Sequence, residues 1–324
     1  MKAVHYDNPG SPEVLKIIES DVPKPNDDQV LIKVVSAGIN RPDLIQREGN
    51  YPAPPGHSEI LGLEVSGTIK EVGKNVKEFT HNDKVAALVN GGGYAEYCVA
   101  DEKQTFAIPK NLSYDEASCI PECFFTAWSN LVDRGGLKKN QKILIHGGTS
   151  GVGLAAIQIA KIFESEIVTT VGNSEKEEFC RKIGVEYVIN YNDVDFFEKI
   201  KEFKIGGLDL ILDFVGGDYI SKNISLLAND GKLINIGFQK GSKVELNLMK
   251  VMLKRLIISG STLRIRNTIF KNQILKKLQK FVFPLLENGK IKCFIDSKYK
   301  LEDVINAHKR LYEGKHIGKV ILKM

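Results

Sequence analysis

The stretch that most restricts the fold is Lys142-Ile-Leu-Ile-His-Gly-Gly-Thr-Ser-Gly-Val-Gly-Leu154. Ile143, Leu144 and Ile145 form an apolar run without polar alternation, the pattern of a short strand buried on both faces. Glycines follow at Gly148, Gly151 and Gly153, and residues 154–160 then read as helix. Strand, glycine turn and helix in this order make a phosphate-binding unit. The glycines let a pyrophosphate approach the backbone, and the helix N-terminus offers unpaired N–H groups and the positive end of its dipole. Ser150 stands where the usual fingerprint has its middle glycine. Taken alone, the motif serves equally well as a tight strand–helix turn.

The rest of the chain decides between the two. A helix is expected at 124–134, ahead of the glycine unit. Strands then follow at 167–171, 187–189, 208–215, 232–236 and 256–259, with helices at 174–183, 194–203, 218–227 and 248–254. Six strands alternating with helices mean a parallel, doubly wound sheet, and in that setting the glycine unit is a dinucleotide site. Upstream, β-like runs at 30–35, 65–69, 84–89 and 94–99 are separated by turn signals such as Pro52-Ala-Pro-Pro-Gly56 and Gly91-Gly-Gly93. One helix is expected there, near 42–48. A long helix at 270–288, a strand at 299–301, a helix at 302–313 and a closing strand at 319–322 form a tail that returns to the first domain. At 324 residues, two domains are expected. They are a mostly-β domain over 1–120, completed by 263–324, and a cofactor domain over 121–262.

Composition narrows the function classes. No apolar run approaches the ~18 residues that span a bilayer, and residues 1–6 carry no signal-peptide core. The five cysteines, Cys98, Cys119, Cys123, Cys180 and Cys293, are scattered and odd in number, which points to reduced thiols in the cytoplasm. A net charge of +5 is too small and dispersed to call for nucleic acid. The lysines of 250–254 and 271–280 alternate with Leu and Ile at helical spacing and read as solvated helix faces.

Several motifs in collinear order resemble the medium-chain dehydrogenase/reductase superfamily, and within it the zinc-free, zeta-crystallin-like NADPH quinone oxidoreductases. They include Ala37-Gly-Ile-Asn-Arg-Pro-Asp43, Ile60-Leu-Gly-Leu-Glu-Val-Ser-Gly67, Ile120-Pro-Glu-Cys-Phe-Phe-Thr-Ala-Trp128, the glycine unit, Asp213-Phe-Val-Gly-Gly217 and Leu263-Arg-Ile-Arg266. The resemblance implies a GroES-like mostly-β catalytic domain joined to a Rossmann domain. It also implies direct hydride transfer from NADPH to a quinone in the cleft between them. Positions that hold zinc ligands in alcohol dehydrogenases appear here as Asn40, Leu63 and Glu122, so no metal is expected. Cys119 and Cys123, spaced i, i+4 with no histidine cluster, read as structural thiols.

Asn40 and Tyr51 match polar acceptor-site positions, with Tyr51 stabilising developing negative charge; Asn40 is also placed to cap the helix that begins near Pro42. Glu64 matches a structural glutamate. For the cofactor, the resemblance implies Thr126, Gly148, Ser150, Gly151, Val152, Gly153, Val215, Gly237, Phe238 and Arg264, the last paired with Arg266 in extended chain. About 20 residues beyond the glycine unit, where an NAD-specific fold places an acid, stand Gly172, Asn173 and Ser174. With Lys176 and Tyr191 they suit a 2′-phosphate. Glu175 and Glu177 are expected to face solvent, and His146 to be a packed strand-end residue. A homodimer through the edge strand near 256–259 is implied as well. The alternatives are an enoyl-thioester reductase of the same superfamily and a non-enzymatic NADPH- or RNA-binding crystallin-like protein.

Overall fold

In the computed structural model, which describes residues 1–324, the chain divides into two units. One comprises Met1–Phe125 and Leu263–Met324, the other Thr126–Thr262. The N-terminal part of the first unit contains β1 (Lys2–His5), β2 (Lys16–Glu19), β3 (Gln29–Gly38), α1 (Arg41–Arg47), β4 (Glu64–Val72), β5 (Lys84–Leu88), β6 (Tyr97–Asp101), β7 (Thr105–Ala107) and α2 (Tyr114–Ala117). The strand expected at 94–99 begins only at Tyr97. Tyr94 is drawn into the core instead, where its hydroxyl donates to Asp43 Oδ2 at 2.9 Å. Helix α3 (Pro121–Trp128) starts earlier than expected, because proline suits a first turn whose N–H groups have no partner within the helix. From Ser129 to Arg134 it widens to a π-helix, with Gly135 N–H donating to Asn130 O at 2.8 Å.

The second unit runs β8 (Lys142–Ile145), α4 (Gly151–Ile162), β9 (Glu166–Val171), α5 (Ser174–Lys182), β10 (Tyr187–Asn190), α6 (Phe196–Glu202), β11 (Leu208–Asp213), α7 (Tyr219–Leu226), β12 (Leu227–Asn235), α8 (Leu248–Lys254) and β13 (Ile257–Gly260). All six strands are parallel, in the order β10-β9-β8-β11-β12-β13. Ile143, Leu144 and Ile145 are fully buried, as a central strand covered on both faces requires.

The tail contributes α9 (Thr268–Phe281), α10 (Phe283–Glu287), β14 (Ile295–Lys300), α11 (Val304–Tyr312) and β15 (Lys319–Lys323). The single helix expected over 270–288 is in fact two. Pro284 has no N–H to continue the ladder, and the chain re-starts at Val282. β14 is longer than the expected 299–301, because pairing with β15 orders a polar stretch that shows no strand pattern of its own. The first unit's sheet runs β14-β15-β3-β4-β5-β7, with β6 also pairing β3. Its core is aliphatic, built on Val30, Ile32, Val65, Val85, Val320 and Leu322. The β15–β3 register sets Leu322 opposite Ala37, which brings Lys319 beside Asn40.

Candidate active site

In the second unit, the loops that carry most of the cofactor candidates leave the carboxyl ends of five adjacent parallel strands. These are 148–153 after β8, 172–173 after β9, Tyr191 after β10, Val215 after β11 and 237–238 after β12. β8 lies between β9 and β11, so the strand order reverses there, where α/β sheets bind their ligands. Gly147 takes φ +61°. A Cβ on Gly148 would come 2.1 Å from Thr169 Oγ1, and one on Gly153 would come 2.3 Å from Gly147 O. Ser150 caps α4: its Oγ accepts the Gly153 N–H at 3.0 Å and donates to Gly147 O at 2.9 Å. The N–H groups of Gly151 and Val152 have no acceptor within the chain and are available to an anion. This glycine cradle and its free donors fit a dinucleotide.

Gly172, Asn173 and Tyr191 share one corner. A Cβ on Gly172 would meet the Tyr191 hydroxyl at 2.6 Å, and Asn173 caps α5 by accepting the Lys176 N–H at 2.9 Å. No acid stands at the end of β9. Ser174 and Glu175 are exposed, whereas Glu177 is half-buried and pairs with Arg181 at 2.8 Å. The Lys176 side chain is buried rather than solvated. Lys240 N–H donates to Val215 O at 2.7 Å, which ties the loop after β11 to the one holding Gly237 and half-exposed Phe238. The Thr126 carbonyl accepts from Ser129 Oγ and Asn130 Nδ2, at 3.2 and 2.9 Å. His146 is enclosed between Thr170 Oγ1 (3.0 Å) and Asn223 Oδ1 (2.9 Å). Asp213 was not among the expected residues. Its buried carboxylate accepts from Val215 N, Asn223 Nδ2 and Asn235 Nδ2, at 2.6, 3.2 and 3.1 Å, and so shapes the β11 loop.

In the first unit, Asn40 is the N-cap of α1, as expected, with its N–H donating to Asp43 Oδ2 at 2.8 Å, while its side chain is engaged elsewhere. Its Nδ2 donates to Glu64 Oε1 at 2.9 Å, and its Oδ1 accepts from Lys319 Nζ at 2.6 Å. Glu64 also accepts the Glu122 N–H at 2.8 Å. Burial opposes the Lys319 charge, but the neighbouring Cys123 and Glu64 side chains outweigh it and hold the ammonium above the ordinary lysine value. Lys319 escaped sequence reasoning; the only available signal was a lysine opening an otherwise apolar strand. Burial, with Glu64 close by, lifts the Glu122 carboxyl to about 7. Tyr51 lies in the irregular stretch between α1 and β4; burial and the Glu122 charge push its phenol up, so it stays protonated as a donor.

Arg264 and Arg266 do not act together. Leu263 to Arg266 closes a turn, with Arg266 N–H donating to Leu263 O at 3.0 Å. Arg264 points inward, while Arg266 is exposed over Phe270, 4.0 Å from its ring centroid. Lys271, expected on a solvated face, is fully buried.

Two of the three positions matched to zinc ligands do not suit the metal. Leu63 is buried hydrocarbon, and the Asn40 oxygen is occupied by a cation. Burial pushes the Cys119 thiol well up and Cys123 to about 12, which keeps both protonated and poor as ligands. No group of three or more His, Cys, Asp or Glu side chains is placed to hold a metal ion.

A parallel nucleotide-binding sheet joined in sequence to a mostly-β unit defines a nicotinamide-dependent oxidoreductase of the GroES-like/Rossmann architecture. The chain belongs to the medium-chain dehydrogenase/reductase superfamily. Residues 26–110 match the alcohol dehydrogenase GroES-like domain, and residues 151–279 match the zinc-binding dehydrogenase family. It is 35% identical to the human quinone oxidoreductase over 331 residues, covering 99% of this chain and 97% of the relative. It superposes on the Escherichia coli quinone oxidoreductase complexed with NADPH with a TM-score of 0.89, at 27% identity, covering all of both chains. CurK enoyl reductase aligns with a TM-score of 0.86, at 25% identity, over all of this chain and 99% of that one.

Proposed function

We propose that the protein is a zinc-independent reductase that uses NADPH to reduce a quinone. The main support is that Leu63 cannot ligate and Asn40 Oδ1 is held by Lys319, so two of the three positions matched to zinc ligands offer no donor to a Lewis-acid metal. An acceptor that is already electrophilic, as a quinone is, needs no such activation. The similarity to quinone oxidoreductases agrees with this choice. Bound NADPH supplies the hydride. The chain contributes position, exclusion of water and hydrogen bonds. Gly151 and Val152 N–H groups receive the pyrophosphate at the start of α4, while Val215, Gly237, Phe238 and Thr126 line the nicotinamide side. The corner of Gly172, Asn173, Ser174, Lys176 and Tyr191 accepts the 2′-phosphate. The Tyr51 hydroxyl donates a hydrogen bond to the acceptor oxygen as negative charge builds, and Asn40 completes the polar lining.

Assay with an ortho-quinone and a 2-enoyl thioester, each with NADPH, tests the reading. Quinone turnover that falls roughly 10- to 1000-fold in Tyr51→Phe, with NADPH binding intact, supports it. Turnover of the enoyl thioester alone reverses it in favour of the reaction class of the enoyl-reductase relative.

The proposal extends to a homodimer in the cytoplasm. β13 is an edge strand of the cofactor sheet, and Leu248, Met249, Met252 and Leu253 on the adjoining α8 are 57–67% exposed. An unpaired edge beside an apolar patch suits a second copy of the chain. All five cysteines are free thiols, which suits a reducing compartment.

A further inference from the structure

Two buried cations in the first unit lack an acidic partner. Lys271 is 1% exposed and Arg264 is 5% exposed, and neither forms an ion pair with a carboxylate. Both converge on Asn90. Lys271 Nζ donates to Asn90 Oδ1 at 2.6 Å and to Arg264 O at 3.0 Å. Arg264 Nε and Nη2 donate to Asn90 O at 2.9 and 2.6 Å. The remaining arm of the guanidinium reaches Tyr51: Nη1 donates to Tyr51 O at 3.3 Å, and the central carbon lies 5.4 Å from the centroid of the tyrosine ring.

Asn90 also holds the far end of the same stretch. Its Nδ2 lies 3.0 Å from His57 Nε2, and Gly92 N–H donates to Ile60 O at 2.7 Å. Residues 51–60 contain no helix or strand, so they depend on these contacts for their shape. Replacing an arrangement of buried charges by apolar side chains of similar volume is often neutral or stabilising. Packing alone therefore gives no reason for a buried ammonium and a buried guanidinium here. Holding a stretch without helix or strand in one conformation does.

We propose that Lys271 and Asn90 are positioning residues for the acceptor site, locking Arg264 so that its guanidinium fixes the backbone and ring of Tyr51. The proposal rests on the acceptor role given to Tyr51 above. It predicts that the clamp acts on the acceptor and not on the nucleotide, whose candidate residues, Arg264 apart, lie in the other unit.

Amide hydrogen exchange and kinetics of Lys271→Met and Asn90→Ala test it. Exchange across residues 51–60 should rise in both variants, while exchange across 143–173 stays unchanged. kcat/KM for the quinone should fall roughly 10- to 100-fold, as for a small misplacement of a reacting group, with KM for NADPH within about twofold. Asn90→Asp, which keeps an oxygen for Lys271, should recover at least half of the loss seen in Asn90→Ala. In a Tyr51→Phe background, Lys271→Met should cost little more, because the two act through one hydroxyl. Unchanged exchange over 51–60, or a full additive loss in the Tyr51→Phe background, overturns the proposal. If the unsubstituted protein reduces no quinone, the acceptor reading fails, and the exchange data alone decide whether the clamp exists.

Discussion

Glu64 Oε1 lies 2.6 Å from Lys319 Nζ, with both side chains closed off from solvent. The two come from β4 and β15, which flank β3, and Asn40, just past the end of β3, joins them. A buried pair of this kind adds little net stability, but removing one partner strands the other charge. Lys319→Met should therefore cost about 3–5 kcal/mol in urea unfolding. Lys319→Met combined with Glu64→Gln should cost less than the sum of the two single substitutions, since no full charge is then left unpaired.

Activity should survive prolonged chelation, and elemental analysis should find less than one zinc per chain. Leu63 and the engaged Asn40 offer no ligand set. Stoichiometric zinc whose removal abolishes turnover would contradict this.

The Glu122 carboxyl is raised to about 7, first by burial and then by the neighbouring Glu64. The folded protein binds this proton more tightly than the unfolded chain. The stabilisation is complete below the unfolded value near 4.5 and is lost as pH rises through about 7. Glu122→Gln should flatten that decline and make the protein about 1–2 kcal/mol more stable than the parent at pH 8, after allowance for solvent screening of a half-buried group. Parallel stability–pH curves for the two proteins would show that Glu122 titrates normally.

NADPH should be preferred over NADH by at least about tenfold in kcat/KM, since one charge-assisted contact to the 2′-phosphate contributes ~1.5–3 kcal/mol. Lys176→Glu should reduce the preference mainly by raising KM for NADPH, with NADH nearly unaffected. Equal use of both cofactors by the unsubstituted protein would remove the corner at Gly172, Asn173 and Tyr191 from the phosphate site.

Leu253→Asp places a charge in the exposed apolar face of α8. Sedimentation should show the parent as a dimer and the variant shifted toward monomer at micromolar concentration. A monomeric parent would refute the dimer.

The strands and glycine turn of the parallel-sheet unit were legible because their signals are local. An apolar strand such as 143–145 is buried wherever a parallel sheet forms, and glycines at 148 and 153 are needed wherever a helix starts that close to a strand. The absence of an acid after β9 is equally a property of a few consecutive residues. The acceptor side was readable only as a set of residue types at matching positions. Lysine at 271 has the helical spacing of a solvated residue, and nothing nearby in the chain announces Asn90, 181 residues away, as its partner. Lys319 looked like an ordinary strand-opening lysine until the β15–β3 register set it against Asn40 and Glu64. Burying a charge is decided by long-range partners that offset its desolvation, and only the folded chain brings those partners together.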